Sequence, residues 1–157
     1  MKKTIPLLLA FATLALPGAA WAQKPGSRLL SPQNSVLILI DHQPQMAFAT
    51  KSIDIVELRN NVTGLAKTAK AFGVPTILTT VAEKSFSGPM FPEILGVFPD
   101  QKPIDRTTMN SWEDPRIVEA VKKTGRKKLV IAALWTEVCG VGPVLSAIDE
   151  GYEVYFV

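Results

Sequence analysis

The most constraining feature of this sequence is an uninterrupted apolar run, Val36, Leu37, Ile38, Leu39 and Ile40, that stops at Asp41. A strand with one wet face alternates apolar and polar residues. A run without alternation fits a strand buried on both faces of a parallel sheet. Residues 75–80 read as a second strand, and residues 128–134 as another buried one. Helical patterns separate them. Ile55, Leu58, Val62, Leu65, Ala66, Ala69 and Phe72 keep the spacing of one helix face, and Gly73 and Pro75 close that helix. Asp114 and Pro115 open a second helix, which carries Ile117, Val118 and Val121 and ends at Gly125. A third carries Val141, Val144, Leu145 and Ile148 and stops at Gly151. Short strands are expected near residues 104–107 and from residue 152 to the end. Strands alternating with helices predict one α/β domain, a three-layer sandwich around a mostly parallel sheet. Residues 82–103 hold Gly88, Pro89, Pro92, Gly96, Pro99 and Pro103 and read as one long irregular connection.

The amino-terminal stretch has a different character. Lys2 and Lys3 precede a nearly continuous apolar segment at residues 5–16, and Ala20-Trp21-Ala22 follows. A basic start, a short apolar core and a small–x–small site are the marks of a secretory signal peptide cleaved after Ala22. The apolar segment is well short of the ~20 residues that span a bilayer, and Pro17 and Gly18 interrupt it. Residues 1–22 are therefore expected to be a signal, residues 23–34 a polar linker and residues 35–157 the domain. The expected destination is the periplasm or the medium, with no stable membrane anchor after cleavage.

Charge and cysteine content exclude several classes. The formal net charge is +3, and losing Lys2 and Lys3 leaves the mature chain nearly neutral. The one basic knot, Lys122, Lys123, Arg126, Lys127 and Lys128, lacks the interleaved aromatics and broad face of a nucleic-acid site and reads as a solvated helix end. The glycines form no phosphate-binding loop. Cys139 is the single cysteine, so a disulfide scaffold is excluded, and the thiol is either buried and inert or kept for chemistry. His42 is the only histidine, and no second ligand stands at metal spacing, so neither a metal nor another cofactor is expected.

In an open parallel sheet, ligands bind beyond the carboxyl ends of the strands, where strand order reverses. Asp41 follows the first strand, Arg106 lies in or just after the third, and Trp135-Thr136-Glu137-Val138-Cys139-Gly140 follows the fourth. A thiol in the first turn of a helix is favoured as thiolate by free N–H groups and the helix dipole. Arg106 would add to this, and Asp41 could take the proton. Each residue also has an ordinary structural role: Cys139 as a small core residue, Asp41 as a turn cap, Arg106 as a surface cation. Trp112 and Trp135 fit either the core or a pocket wall.

The same residues carry a family resemblance. Leu39-Ile40-Asp41-His42-Gln43 resembles the first motif of isochorismatase-like cysteine hydrolases, and residues 75–80 resemble their second strand. Asn110-Ser111-Trp112 resembles the segment after the triad cation in one bacterial subgroup. Thr136-Glu137-Val138-Cys139, with Leu145-Ser146-Ala147 and Glu150-Gly151-Tyr152 beyond it, resembles the nucleophile turn and its helix. The resemblance covers roughly residues 30–157. It implies a catalytic set of Asp41, Arg106 and Cys139, with arginine where the family usually has lysine. An arginine keeps the charge but cannot serve as a base. It also implies a non-proline cis peptide at Leu134-Trp135, with the Trp135 and Cys139 N–H groups directed at one oxyanion position. Thr136, Asn110 and Trp112 are the further residues expected around the substrate. Members of the family continue past the strand at Val154 with another helix, strand and closing helix, so an incomplete last layer is expected.

Three functions follow as expectations. The first is hydrolysis of a C–N bond in a small amide through a thioester at Cys139. The second is a non-catalytic oligomeric scaffold of the same fold. The third, a thiol-exchange module, lacks the second cysteine such modules use. A small-molecule substrate and a homo-oligomer are the expected partners.

Overall fold

The computed structural model describes residues 26–157. The signal-peptide reading and its cleavage site lie outside the described residues. Five strands form one sheet in the order β3-β2-β1-β4-β5: β1 (Ser35–Ile40), β2 (Thr76–Val81), β3 (Ile104–Arg106), β4 (Lys128–Ala133) and β5 (Glu153–Phe156). Every neighbouring pair is parallel. Five helices connect them: α1 (Pro44–Ala49), α2 (Ile55–Ala71), α3 (Pro92–Val97), α4 (Pro115–Lys123) and α5 (Val141–Asp149).

All six residues of β1 are buried, and the sheet's two faces explain why. Leu37 and Leu39 enter one core with Val62, Ala66, Leu78, Phe91 and Ile94. Val36, Ile38 and Ile40 enter the other with Ile77, Val121, Ile131, Ala147 and Trp112. Successive side chains point to opposite faces, so a strand covered on both sides is apolar throughout. Each fully buried aliphatic side chain contributes on the order of 2 kcal/mol.

α2 starts where Asp54 accepts hydrogen bonds from the N–H groups of Val56 and Glu57, and it ends at Gly73, whose φ is +64°. Where a single irregular connection was expected, the structure has α3. Pro92 is the first residue of that helix. A proline there sacrifices no hydrogen bond, because the first N–H groups of a helix have no partner inside it. Phe91 and Ile94 anchor the helix in the core at 1 % and 0 % exposure. α1, also opened by a proline, was equally unanticipated. Six residues are too few to display a helical period.

Residues 26–34, read from sequence as a linker, are tied across the amino edge of the sheet. The buried Lys128 donates to the carbonyls of Ser27 and Leu29. Arg126 donates to those of Pro32 and Ser35. Part of the basic knot therefore serves the fold rather than solvent.

Candidate active site

The chain runs from β1 to β2 and β3 on one side, then returns to place β4 and β5 on the other. Strand order thus reverses between β1 and β4, and the carboxyl ends of these two strands lead into Asp41 and the Cys139 turn. The crevice between such ends is where the parallel fold leaves room for ligands.

Asp41 ends β1 with a φ of +58°, a left-handed conformation that Asp tolerates better than most residues. Its N–H still pairs with the Thr79 carbonyl of β2 at 3.0 Å. Two residues on, the fully buried Gln43 bridges the strand ends. Its side-chain amide donates to the carbonyls of Val81 and Gly88, and its oxygen accepts from the Val81 N–H. Sequence reading left Gln43 inside the Asp41 motif without a role. Here it holds the turn that aims Asp41.

Arg106, at the end of β3, reaches past β2 and grips that carboxylate with two parallel hydrogen bonds. Nη1 lies 2.6 Å from one oxygen and Nη2 2.8 Å from the other. Nη2 also donates to the Met109 carbonyl at 3.2 Å. Arg106 Nε has no partner among the described residues. Both side chains are buried, so the pair sits where charge is costly unless matched.

Cys139 lies in a π turn, Thr136–Gly140, between β4 and α5. Gly140 lets the Phe156 ring approach the turn closely. A Cβ on it would fall 2.6 Å from the Phe156 ring. The Leu134–Trp135 peptide is cis, and Trp135 Nε1 donates to the Met46 carbonyl at 2.8 Å, fastening the turn to α1.

Two features differ from the sequence-based expectation. The thiol is not a stabilised thiolate: burial first, then hydrogen bonding to Asp41 and its negative charge, push the Cys139 thiol up to about 12. Arg106 acts in the opposite direction but is outweighed by burial and by Asp41. The Cys139 N–H is also not a free oxyanion donor, since it donates to the Trp135 carbonyl at 3.0 Å. The π turn closes back on that carbonyl, which the Val138 and Gly140 N–H groups also share. The Trp135 N–H is directed at the Cys139 sulfur, where it favours the thiolate but is outweighed by burial and Asp41.

Asn110 and Trp112 are committed within the protein. The Asn110 oxygen accepts from the Trp112 N–H, and its amide donates to Ser146 Oγ of α5 at 3.1 Å. Trp112 Nε1 donates to Glu150 at 2.8 Å, and its ring meets Tyr152 edge-on. Together they seat α5 and the nucleophile turn against the segment after Arg106. Thr136 is exposed. With Trp135 and Glu137 it forms one wall of an open cleft of about 650 Å³. Ala49, Thr50, Lys51 and Ser52 line the opposite wall.

His42 is buried, with its Nδ1 unpartnered, and burial lowers its pKa to about 4. It is therefore neutral beside the Asp41–Arg106 pair. Among the described residues, no group of three or more His, Cys, Asp or Glu side chains is arranged to hold a metal ion, and no helix is long and apolar enough to cross a membrane.

Comparison with known proteins agrees with this architecture. Residues 35–157 match the model of the isochorismatase domain. The probable hydrolase YcaC of Escherichia coli strain K12 is 42 % identical over 129 residues, covering 82 % of this chain and 62 % of that protein. The crystal structure of the Escherichia coli YcaC product, an octameric hydrolase of unknown specificity, superposes with a TM-score of 0.79 at 43 % identity, covering 85 % of this chain and 66 % of that one. YcaC from Pseudomonas aeruginosa, solved with hexane-2,5-diol and covalent acrylamide, gives 0.80 at 38 % identity, covering 84 % and 66 %. The chain thus spans somewhat under two thirds of the length of these relatives. With its parallel sheet, its Asp41 and Cys139 strand ends and a domain match over residues 35–157, the chain belongs to the isochorismatase family.

Proposed function

We propose that this protein is a cysteine hydrolase that cleaves the C–N bond of a small amide through a thioester on Cys139. The observation that carries this reading is the buried, doubly hydrogen-bonded Asp41–Arg106 pair set against the Cys139 thiol. A thiol held near pKa 12 is inert unless its proton has somewhere to go, and Asp41 is the acceptor at hand.

In the proposed sequence, the Cys139 S–H proton passes to Asp41 as sulfur attacks the amide carbonyl carbon. Trp135 and Thr136 N–H groups receive the oxyanion. The tetrahedral adduct collapses, the C–N bond breaks, and Asp41 returns its proton to the departing amine. Water then attacks the thioester, Asp41 takes a proton from it, and the acid leaves as the thiol re-forms. Arg106 stays charged throughout and keeps Asp41 oriented.

The covalent acrylamide in the Pseudomonas aeruginosa relative supports a reactive nucleophile. Acrylamide is both an amide and an electrophile that thiols attack, and Cys139 is the only thiol here. Incubating the purified chain with a library of small amides and recording intact mass tests the reading. Acyl adducts that vanish in Cys139→Ala are the expected result. Turnover that survives that substitution would sink it.

A second reading is a non-catalytic scaffold of the same fold. Cys139 at 1 % exposure with a raised pKa favours it. Absence of any adduct or turnover across the library, from a cooperatively folded protein, would select it.

We further propose that the chain is exported, on the strength of Lys2, Lys3 and Ala20-Trp21-Ala22. Expression in a Gram-negative host should yield a mature amino terminus at Gln23 by mass spectrometry. We also propose that it assembles as a homo-oligomer, as the octameric Escherichia coli relative does.

A further inference from the structure

We propose that Asp105 is a positioning residue for the reaction, its carboxylate fixing the register of β3 and thereby the grip of Arg106 on Asp41. This rests on the hydrolase reading above and names a residue outside its catalytic set. β3 has three residues, and all three pair with β2: Ile104 beside Thr79, Asp105 beside Thr80 and Arg106 beside Val81. So short a ladder holds its own register weakly, and a slip of one residue would turn Arg106 to the other face of the sheet. Side chains supply what the ladder lacks. Thr79 Oγ1 donates to the Ile104 carbonyl at 2.8 Å. Asp105 Oδ1 accepts twice, from Thr80 Oγ1 and from the Glu83 N–H, each at 3.0 Å. The Glu83 carboxylate lies farther from that hydroxyl, at 3.4 Å, so the single hydroxyl proton goes to Asp105.

The Glu83 bond matters because β2 leaves the sheet by a strained corner. Ala82 has a φ of +49°, a left-handed conformation that is costly for alanine and persists only where the surroundings enforce it. The Ala82 N–H donates to the Arg106 carbonyl at 2.9 Å, so the corner and the cation share one backbone contact. Asp105 ties the residues on both sides of that corner, Thr80 and Glu83, to β3. A carboxylate accepting from a backbone N–H makes one of the stronger hydrogen bonds. On the outer edge of the sheet, Arg116 Nη2 donates to the Asp105 carbonyl at 2.7 Å. Ile104 packs in the same core as Cys139. Arg106, two residues on, shares that face, and Asp105 stands on the other. Asp105 therefore acts on the site through Arg106 and not by touching the reacting atoms.

Crystal structures and acrylamide labelling of the full chain test this. Asp105→Leu keeps the size of the side chain and removes the accepting oxygens. Its structure should show the paired Arg106–Asp41 hydrogen bonds broken or reduced to one. Addition of acrylamide to Cys139, followed by intact mass, should slow at least about tenfold. Its pH profile should also move to higher pH, because Arg106 favours the thiolate. Asp105→Asn keeps an accepting oxygen and should recover most of the rate. Thr80→Val removes one donor and keeps the shape. It should slow labelling in the same direction by less, and it carries the test if Asp105→Leu does not fold. An unaltered Arg106–Asp41 pair in Asp105→Leu, or wild-type labelling in both variants, would overturn the proposal. So would an Asp105→Asn as slow as Asp105→Leu, since the carboxylate would then act by its charge and not by holding the strand. A folded wild type that takes no acrylamide would sink the hydrolase reading, and the variant structures would still decide the role of Asp105.

Discussion

Arg106 occupies both carboxylate oxygens of Asp41, at 2.6 and 2.8 Å, with neither side chain reaching solvent. A charge pair of this kind is stable only as a pair. Arg106→Met should therefore cost about 3–5 kcal/mol in urea unfolding, because it leaves a buried carboxylate alone. Arg106→Lys keeps the charge but not the fork and should cost only about 1–2 kcal/mol. It should also retain whatever turnover the wild type shows. Equal costs for the two variants would mean that the pair is not what holds this end of the sheet.

Removing the carboxylate should separate ionisation from activity. Asp41 raises the Cys139 thiol by hydrogen bonding and by charge. Asp41→Asn should therefore lower the thiol pKa from about 12, read by the ultraviolet absorbance of the thiolate across a pH titration. It should remain above the ordinary thiol value of about 8.5, because burial is the largest cause. Turnover should fall ~10²-fold or more despite the larger thiolate fraction, because the base is gone. A rise in turnover would show that thiolate population, not proton transfer, limits the rate.

His42 predicts an acid sensitivity. Its folded pKa of about 4 lies below the ordinary 6.5, so below pH 6.5 the unfolded chain binds the proton more readily. The stability associated with neutral His42 is complete above pH 6.5 and is lost as pH falls toward 4. The loss approaches about 3 kcal/mol, at about 1.4 kcal/mol per pKa unit. His42→Phe should flatten the dependence of melting temperature on pH within that window. An unchanged slope would place the acid sensitivity in other groups.

Gly140→Ala should destabilise the fold by about 1–3 kcal/mol, the usual cost of overpacking, since the added carbon meets the Phe156 ring at 2.6 Å. Shortening the obstacle should restore part of that loss. In a double-mutant cycle, Gly140→Ala/Phe156→Ala should lose less than the sum of the single changes. Additive losses would mean that the turn yields elsewhere.

The strands and the long helices were legible because their signals are local. Apolar runs at β1 and β4, Asp114 as a helix cap, and Gly73, Gly125 and Gly151 as stops are all written within a few residues. α1 and α3 were not legible. Each has six residues opened by a proline, and in sequence a proline that starts a helix looks like one that ends it. The amino-terminal arm looked like a linker because its anchors, Arg126 and Lys128, lie about a hundred positions away.

The site divides along the same line. The sequence by itself determined which residues stand beyond the strand ends: an acid at Asp41, a cation at Arg106, and the single thiol at Cys139. That followed because burial on both faces forces β1 and β4 to be apolar to their ends, and polar residues can resume only where the sheet stops. Only the tertiary structure decided the ionisation of Cys139. Whether Cys139 is a thiolate depends on the net field at a buried sulfur. The balance is set first by burial, then by Asp41, 98 positions earlier in the chain, with Arg106 opposing both.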